Sequence, residues 1–101
     1  MVKNNAMIYA PSEELPCFDG TQRIYRFEGG ARYTASVVQH KYSYGGTDGR
    51  WELAVMYDDK IVSTPVITGG DDVIGWLTED EVQVLLAQVD ALQDSQVMPV
   101  K

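Results

Sequence analysis

The strongest local signal in this 101-residue sequence is the start of one helix near the C-terminal end. Thr78 and Glu81 have the spacing of a capping box, in which each side chain accepts a hydrogen bond from the other residue's backbone amide. Apolar residues then recur with helical spacing, at Val82, Leu85, Leu86, Val89 and Leu92. The pattern predicts an amphipathic helix from residue 79 to about residue 93, with a frayed tail after about residue 94.

Four strand-like runs rich in β-branched and aromatic residues precede this helix. They cover residues 22–28, 31–43, 50–57 and 60–68. In the third run, residues 50–57, successive side chains point to opposite faces, and this period of two is typical of a half-buried strand. Gly29-Gly30 and Asp58-Asp59 predict tight turns between consecutive strands, and residues 44–49 predict a longer glycine-rich loop.

Together these elements predict an α+β fold: a four-stranded antiparallel β-meander with one C-terminal amphipathic helix packed on one face (ββββα). Residues 1–21 are expected to form a short N-terminal arm, in which residues 6–9 suit a short strand. Pro16 favours a loop or a single helical turn over residues 12–16. Residues 22–101 are expected to form one domain, with residues 73–77 as a connector before the helix.

A single helix covers only one face of such a sheet. Several strands carry apolar residues on both faces, for example Val37 next to Val38 and Ile61 next to Val62. A bare and partly apolar face tends to acquire a partner, which could be the arm, a target protein or a second copy of the chain. We expect a homodimer.

Composition places the chain among soluble domains. It is 45% hydrophobic with a net charge of −7, and its longest apolar runs are far short of the roughly 18 residues that span a bilayer. The chain has one cysteine and does not open with the pattern of a signal peptide. These features predict a cytoplasmic protein without a disulfide.

The acidic residues are concentrated towards the C-terminal end. Residues 61–101 contain seven acidic residues and one basic residue. We hypothesise a partner-binding acidic surface formed by Asp71, Asp72, Asp80, Asp90 and Asp94. Such a surface could imitate the phosphates of a nucleic acid, although charges matched to the helix dipole and a solvated helix face also explain it.

Residues 22–50 are mildly basic and rich in aromatic residues, a composition that resembles a surface binding single-stranded nucleic acid. The aromatic residues are equally suited to fill the core of a sheet. A net charge of −7 opposes the approach of a polyanion, so direct nucleic-acid binding is rejected as the leading hypothesis.

Catalytic and metal motifs are weak. Cys17 and His40 could in principle pair as nucleophile and base, but no local feature brings them together or activates the thiol. The pairs Asp58-Asp59 and Asp71-Asp72 lie outside any calcium-binding loop pattern. We therefore assign no catalytic residue, metal ligand or cofactor.

Three functions stay open at this point. The leading hypothesis is a small noncatalytic domain that binds another protein. The second is an acidic inhibitor of a DNA- or RNA-binding protein. The third is a ligand-binding protein or enzyme that uses His40, Tyr42 and Tyr44 beside the glycine-rich loop.

Overall fold

A computed structural model describes residues 9–27, 32–69 and 71–92 of the chain. It contains six strands, which are β1 Glu13–Cys17, β2 Gly20–Arg26, β3 Tyr33–Gln39, β4 Trp51–Tyr57, β5 Lys60–Ile61 and β6 Val73–Leu77. Its helices are α1 Pro65–Thr68 and α2 Glu79–Leu92, and a short 3-10 turn spans Gly46–Asp48. The expected strand within residues 6–9, the Gly29-Gly30 turn and the C-terminal tail fall wholly or largely outside the described residues.

All strands form one antiparallel sheet in the order β1-β2-β3-β4-β5, and β6 also pairs with β4. β3 occupies one edge of β4, so β5 and β6 share the other edge, β5 beside the end of β4 and β6 beside its beginning. The predicted α+β class, the antiparallel meander and the helix on one face are confirmed. The sheet is larger than expected by two strands.

The core lies between α2 and one face of the sheet. Alternate side chains of the two central strands are completely buried there, namely Ala35, Val37, Leu53 and Val55. The helix contributes Val82, Leu86 and Val89, which are also completely buried and follow the predicted stripe. Burial of these apolar side chains is the main stabilising contribution to the fold.

The start of α2 is stabilised by the predicted capping box. The Thr78 amide donates to Glu81 Oε1 over 2.8 Å, and the Glu81 amide donates to Thr78 Oγ1 over 3.2 Å. The hydrogen bond from the Thr78 backbone lowers the pKa of the Glu81 carboxyl below its ordinary value. The helix begins at Glu79, as predicted, and continues to Leu92, the last residue that the structure describes in this part of the chain.

Arg23 connects this helix start to the sheet. Its guanidinium lies 4.0 Å from the ring centroid of Trp51 and 3.1 Å from the carboxylate of Glu79. A third contact, 3.3 Å, reaches the Glu14 carboxylate on β1. One half-buried cation thus joins β1, β2, β4 and α2, which combines a cation–π contact with two ion pairs.

The expected loop or helical turn at residues 12–16 is wrong, because residues 13–17 form β1 at the edge of the sheet. Cys17 pairs with Gly20 across a two-residue turn, and Glu13 pairs with Ile24 at the other end. The alternation of the ladder from this turn directs the backbone of Pro16 outwards, where its missing N–H costs no ladder bond. Proline therefore excluded a helix here but not an edge strand.

The expected fourth strand, residues 60–68, is also only partly correct. The Asp58-Asp59 turn is confirmed by positive φ at both residues (51° and 67°) and is followed by the two-residue strand β5. The chain then leaves the sheet, because Pro65 begins the single helical turn α1. Because β5 is so short, part of this edge of β4 stays free, and β6 pairs with it. The expectation of a connector at residues 73–77 is therefore wrong.

The capping box predicts a specific dependence on pH. Glu81→Gln keeps an acceptor for the Thr78 amide but removes the titration. Because folding lowers the pKa of Glu81, its contribution is present above the ordinary value of 4.5 and is lost as the pH falls through the lowered value. Urea unfolding at pH 7 and pH 3 should therefore show the natural chain losing more stability than the variant. An equal loss in both chains would contradict this.

The Arg23 contacts predict a contrast within one strand. Arg23→Ala should lower the free energy of unfolding by about 1–2 kcal/mol, since it removes a cation–π contact and two ion pairs. Arg26→Ala is the control, because Arg26 makes one exposed ion pair with Glu13. It should cost no more than about 0.5 kcal/mol. Similar losses in chemical denaturation would show that Arg23 has no special role.

Candidate functional site

The candidate site lies on the face of the sheet that points away from α2, here called the open face. The strand registers place apolar side chains from β1 to β6 on this face, namely Leu15, Ile24, Val38, Ala54, Met56, Ile61 and Val73. Polar residues lie among them, and Gln22 Nε2 donates to Ser36 Oγ across β2 and β3 over 2.9 Å. The open face is therefore mixed in character, as surfaces that bind reversibly usually are.

Aromatic side chains from three parts of the chain meet at one end of the open face. The registers bring the β1–β2 turn, the β3–β4 loop and the end of β6 to this end of the sheet. The five residues involved are Phe18, His40, Tyr42, Tyr44 and Trp76, and we call them the aromatic end. Four of them are more than half exposed, and His40 is half-buried.

Phe18 occupies a turn position that favours glycine. It is the first central residue of the two-residue turn between Cys17 and Gly20, and its φ is 54°. Positive φ at that position is typical of type II′ turns, in which a Cβ atom is unfavourable. Its ring is 70% exposed and lies 4.8 Å from His40 and 5.0 Å from Tyr42, measured between ring centroids.

Trp76 occupies a second position of this kind. Trp51 pairs with Leu77 and Leu53 pairs with Ile74, so Gly75 and Trp76 together face a single residue of β4. This extra residue is a β-bulge, and Trp76, the second of its two residues, has a φ of 61°, in the left-handed region that favours glycine. The bulge directs the indole outwards, and Trp76 is 56% exposed.

The loop that carries the tyrosines is held by a network of short contacts. The His40 amide donates to Ser43 Oγ over 2.9 Å, and Ser43 Oγ donates to the His40 carbonyl over 2.9 Å. A Cβ atom on Gly46 would collide with both residues, so only glycine fits there. This turn ends β3 at Gln39, earlier than the sequence predicted, and places Tyr42 outside the strand.

Tyr44 is fixed against β4 and β6. Its amide donates to Glu52 Oε1 over 3.1 Å, and its carbonyl accepts from the Trp76 amide over 3.1 Å. A Cβ atom on Gly75 would collide with the Tyr44 side chain, so this glycine permits the close approach. The backbone that presents the exposed rings is therefore well defined.

The imidazole of His40 is held in one orientation. Its Nδ1 accepts a hydrogen bond from the Tyr42 amide over 3.1 Å, which requires an unprotonated Nδ1 and leaves the proton of the neutral ring on Nε2. His40 is thus a positioned ring within the aromatic end. The half-buried Cys17 is the last residue of β1, which β2 separates from the strand that precedes His40.

A concavity of about 330 Å³ lies beside these rings on the open face. Its floor is formed by residues of β3 and β4, and its rim by the β3–β4 loop, β5 and β6. The lining residues are Ser36, Val38, His40, Tyr42, Glu52, Ala54, Ile61 and Val73. Its volume lies at the lower end of the range for small-ligand sites.

The proposed acidic surface is divided among different places. Asp71 and Asp72 precede β6, whereas Asp80 follows it, so a strand of roughly 17 Å separates them. Asp90 is half-buried and its Oδ2 accepts from the Tyr9 hydroxyl over 2.9 Å. Burial and this carboxylate raise the pKa of Tyr9. Asp94 lies outside the described residues.

The sequence identified His40, Tyr42 and Tyr44 as a candidate region, and the structure brings these three residues to the same end of the sheet. It did not identify Phe18 or Trp76, because their places depend on a turn type and a bulge. The one available signal was that each lies close to a glycine in the sequence, Phe18 near Gly20 and Trp76 next to Gly75. Among the described residues, no group of three His, Cys, Asp or Glu side chains is arranged to hold a metal ion.

Comparisons of the chain with protein-family models, with curated proteins and with solved structures found no match. In the part of the chain that the structure describes, neither helix has the length and apolar character needed to cross a membrane.

The unusual backbone at position 18 can be tested by comparing glycine with alanine. Phe18→Gly should be more stable than Phe18→Ala by about 1 kcal/mol, because a Cβ atom is unfavourable at positive φ. The control is Leu15 in the same hairpin, which lies in regular β-strand. There the order should reverse, with Leu15→Gly less stable than Leu15→Ala. Thermal unfolding of the four variants measures both differences in stability. If the glycine and alanine variants have the same order of stability at both positions, the backbone of Phe18 is not strained.

Proposed function

We propose that this protein is a small noncatalytic domain that binds a partner protein through the open face and the aromatic end. One observation carries the proposal. Of the seven large hydrophobic side chains that are exposed among the described residues, all but Val84 belong to the open face or to the aromatic end: Leu15, Phe18, Tyr42, Tyr44, Ile61 and Trp76. Such clustering is typical of interaction surfaces.

The size of the surface agrees with this proposal. Strands of about seven residues at spacings of about 4.8 Å make the open face roughly 20 Å on each side. That is roughly 400 Å² before side-chain relief is counted, and the aromatic end adds to it. The open face alone thus supplies about half of the roughly 800 Å² that one partner buries in a standard protein–protein interface.

The chemistry of the surface favours binding over catalysis. Its most exposed groups are rings, and tyrosine and tryptophan are enriched at the energetic centres of interfaces. Two of the rings occupy backbone positions that favour glycine, and such strained residues cluster where function requires them. A second copy of the chain is the alternative occupant of this surface, which would make the protein a homodimer.

A second candidate function remains the acidic inhibitor of a nucleic-acid-binding protein. It is supported by Asp71, Asp72 and Asp80, which are exposed and form no ion pair with another described residue. It is weakened by Glu79 and Asp90, which bind Arg23 and Tyr9 within the domain. One adjacent pair and one distant carboxylate are a sparser pattern than the phosphates of a duplex, so we rank this function second.

Site-specific photocrosslinking tests the proposed surface. A photoreactive phenylalanine analogue is placed at position 18 in the aromatic end, and in a separate chain at position 84 on the exposed side of α2. We expect illumination of the producing cells to give one discrete adduct from position 18 and none from position 84, with the partner identified by mass spectrometry. An adduct of two copies would identify self-association. Adducts from position 84 alone would contradict the proposal and favour the acidic helix.

A further inference from the structure

The domain holds two of its own arginines by the same pair of groups, an aromatic ring and a carboxylate. Arg23 lies 4.0 Å from the centroid of Trp51 and 3.1 Å from a carboxylate oxygen of Glu79. Arg32 lies 5.3 Å from the centroid of Tyr57 and 3.0 Å from a carboxylate oxygen of Asp58. A flat guanidinium suits this arrangement, since its face stacks on a ring while its edge donates to the carboxylate.

The concavity on the open face contains a third pair of such groups. Tyr42 and Glu52 both line it, and Glu52 is the one acidic side chain in the lining. Glu52 Oε1 accepts from the Tyr44 amide, and its carboxylate forms no ion pair with any other residue that the structure describes. The ring and the carboxylate are present, and the guanidinium is not supplied by the described part of the chain.

We propose that this concavity binds an arginine side chain from a basic segment of the partner protein. The guanidinium edge donates to the Glu52 carboxylate, and its face lies against Tyr42 at the rim. The inference rests on the proposed function, because it names the chemistry that the partner presents to the open face. The apolar lining, Val38 and Ile61 among it, contacts the methylene groups of the arginine.

The net charge of the chain favours a basic partner. The chain has a net charge of −7, and Arg23, Arg26 and Arg32 are all engaged with carboxylates of their own domain. The net field therefore attracts a cationic segment and accelerates its approach.

Lys41 also contacts the Tyr42 ring, with its Nζ 5.3 Å from the centroid, but it does not line the concavity. This contact shows that the ring accepts a cation. A lysine ammonium is a strongly hydrated point charge that cannot stack, whereas a guanidinium stacks and donates at the same time. Arginine is therefore the expected side chain.

The test uses the full chain and a short blocked peptide, Gly-Arg-Gly-Arg-Gly, titrated at physiological salt and followed by amide chemical shifts. Shifts should concentrate at Tyr42, Tyr44 and Glu52. Glu52→Gln keeps an acceptor for the Tyr44 amide and should weaken binding roughly tenfold, the size of one charge-assisted hydrogen bond. Asp80→Asn removes the same charge from α2 and should change binding by about twofold or less, because salt screens distant charges.

Several outcomes would overturn the inference. Equal weakening by the two variants would mean general charge attraction, and shifts confined to α2 would place the cation elsewhere. Equal binding of the matching lysine peptide would remove the argument for a guanidinium. A chain that light scattering shows to be a dimer, with the open face closed to the peptide, would identify a second copy as the occupant. If crosslinking from position 18 still captures a partner while the peptide fails, only this inference falls and the proposed function stands.

Discussion

The fold depends on one constraint, which is that a single helix has to bury the apolar face of a broad sheet. A helix of 14 residues is about 21 Å long and lies mainly over the two central strands. Most of the completely buried side chains of the sheet belong to β3 and β4, including Val37 and Leu53, and Tyr25 of β2 joins them. Because all of the long helix is used on one side, the apolar residues on the other side stay outside the core. The candidate site is thus a direct consequence of how the core is built.

The main elements of the core were predictable because their signals are local. The helix start needs only the four residues from Thr78 to Glu81, and β4 needs only its own alternation. Strands β1 and β6 were not predictable in this way, because each adds to an edge that other parts of the chain leave free. In β6 the vacancy follows from Pro65, which turns the chain out of the sheet after two residues of β5. The sequence of a segment does not show whether a residue elsewhere in the chain has left a sheet edge free for it to pair with.

The same distinction between local and long-range determinants applies to the residues of the candidate site. His40, Tyr42 and Tyr44 are close in sequence, so their proximity in space could be expected from a short loop. Phe18 and Trp76 join them only through the register of the strands, which sequence patterns specify weakly. A bulge of one residue decides whether Trp76 points outwards, and neighbouring pairs elsewhere in β4 keep a regular register. Sequence reasoning therefore found the loop and missed the residues that complete the surface.

The conformations of Phe18 and Trp76 are hard to explain by stability alone. At both positions glycine would remove a cost of about 1–2 kcal/mol per residue, and an exposed ring recovers little of it by burial. In a small domain whose total stability is about 5–15 kcal/mol, two such residues are a substantial fraction. Their presence on one surface, beside a tyrosine loop and a carboxylate that forms no ion pair among the described residues, agrees with the proposal that the rings are buried in a complex. Under that proposal, the free energy lost by the isolated domain is recovered on binding.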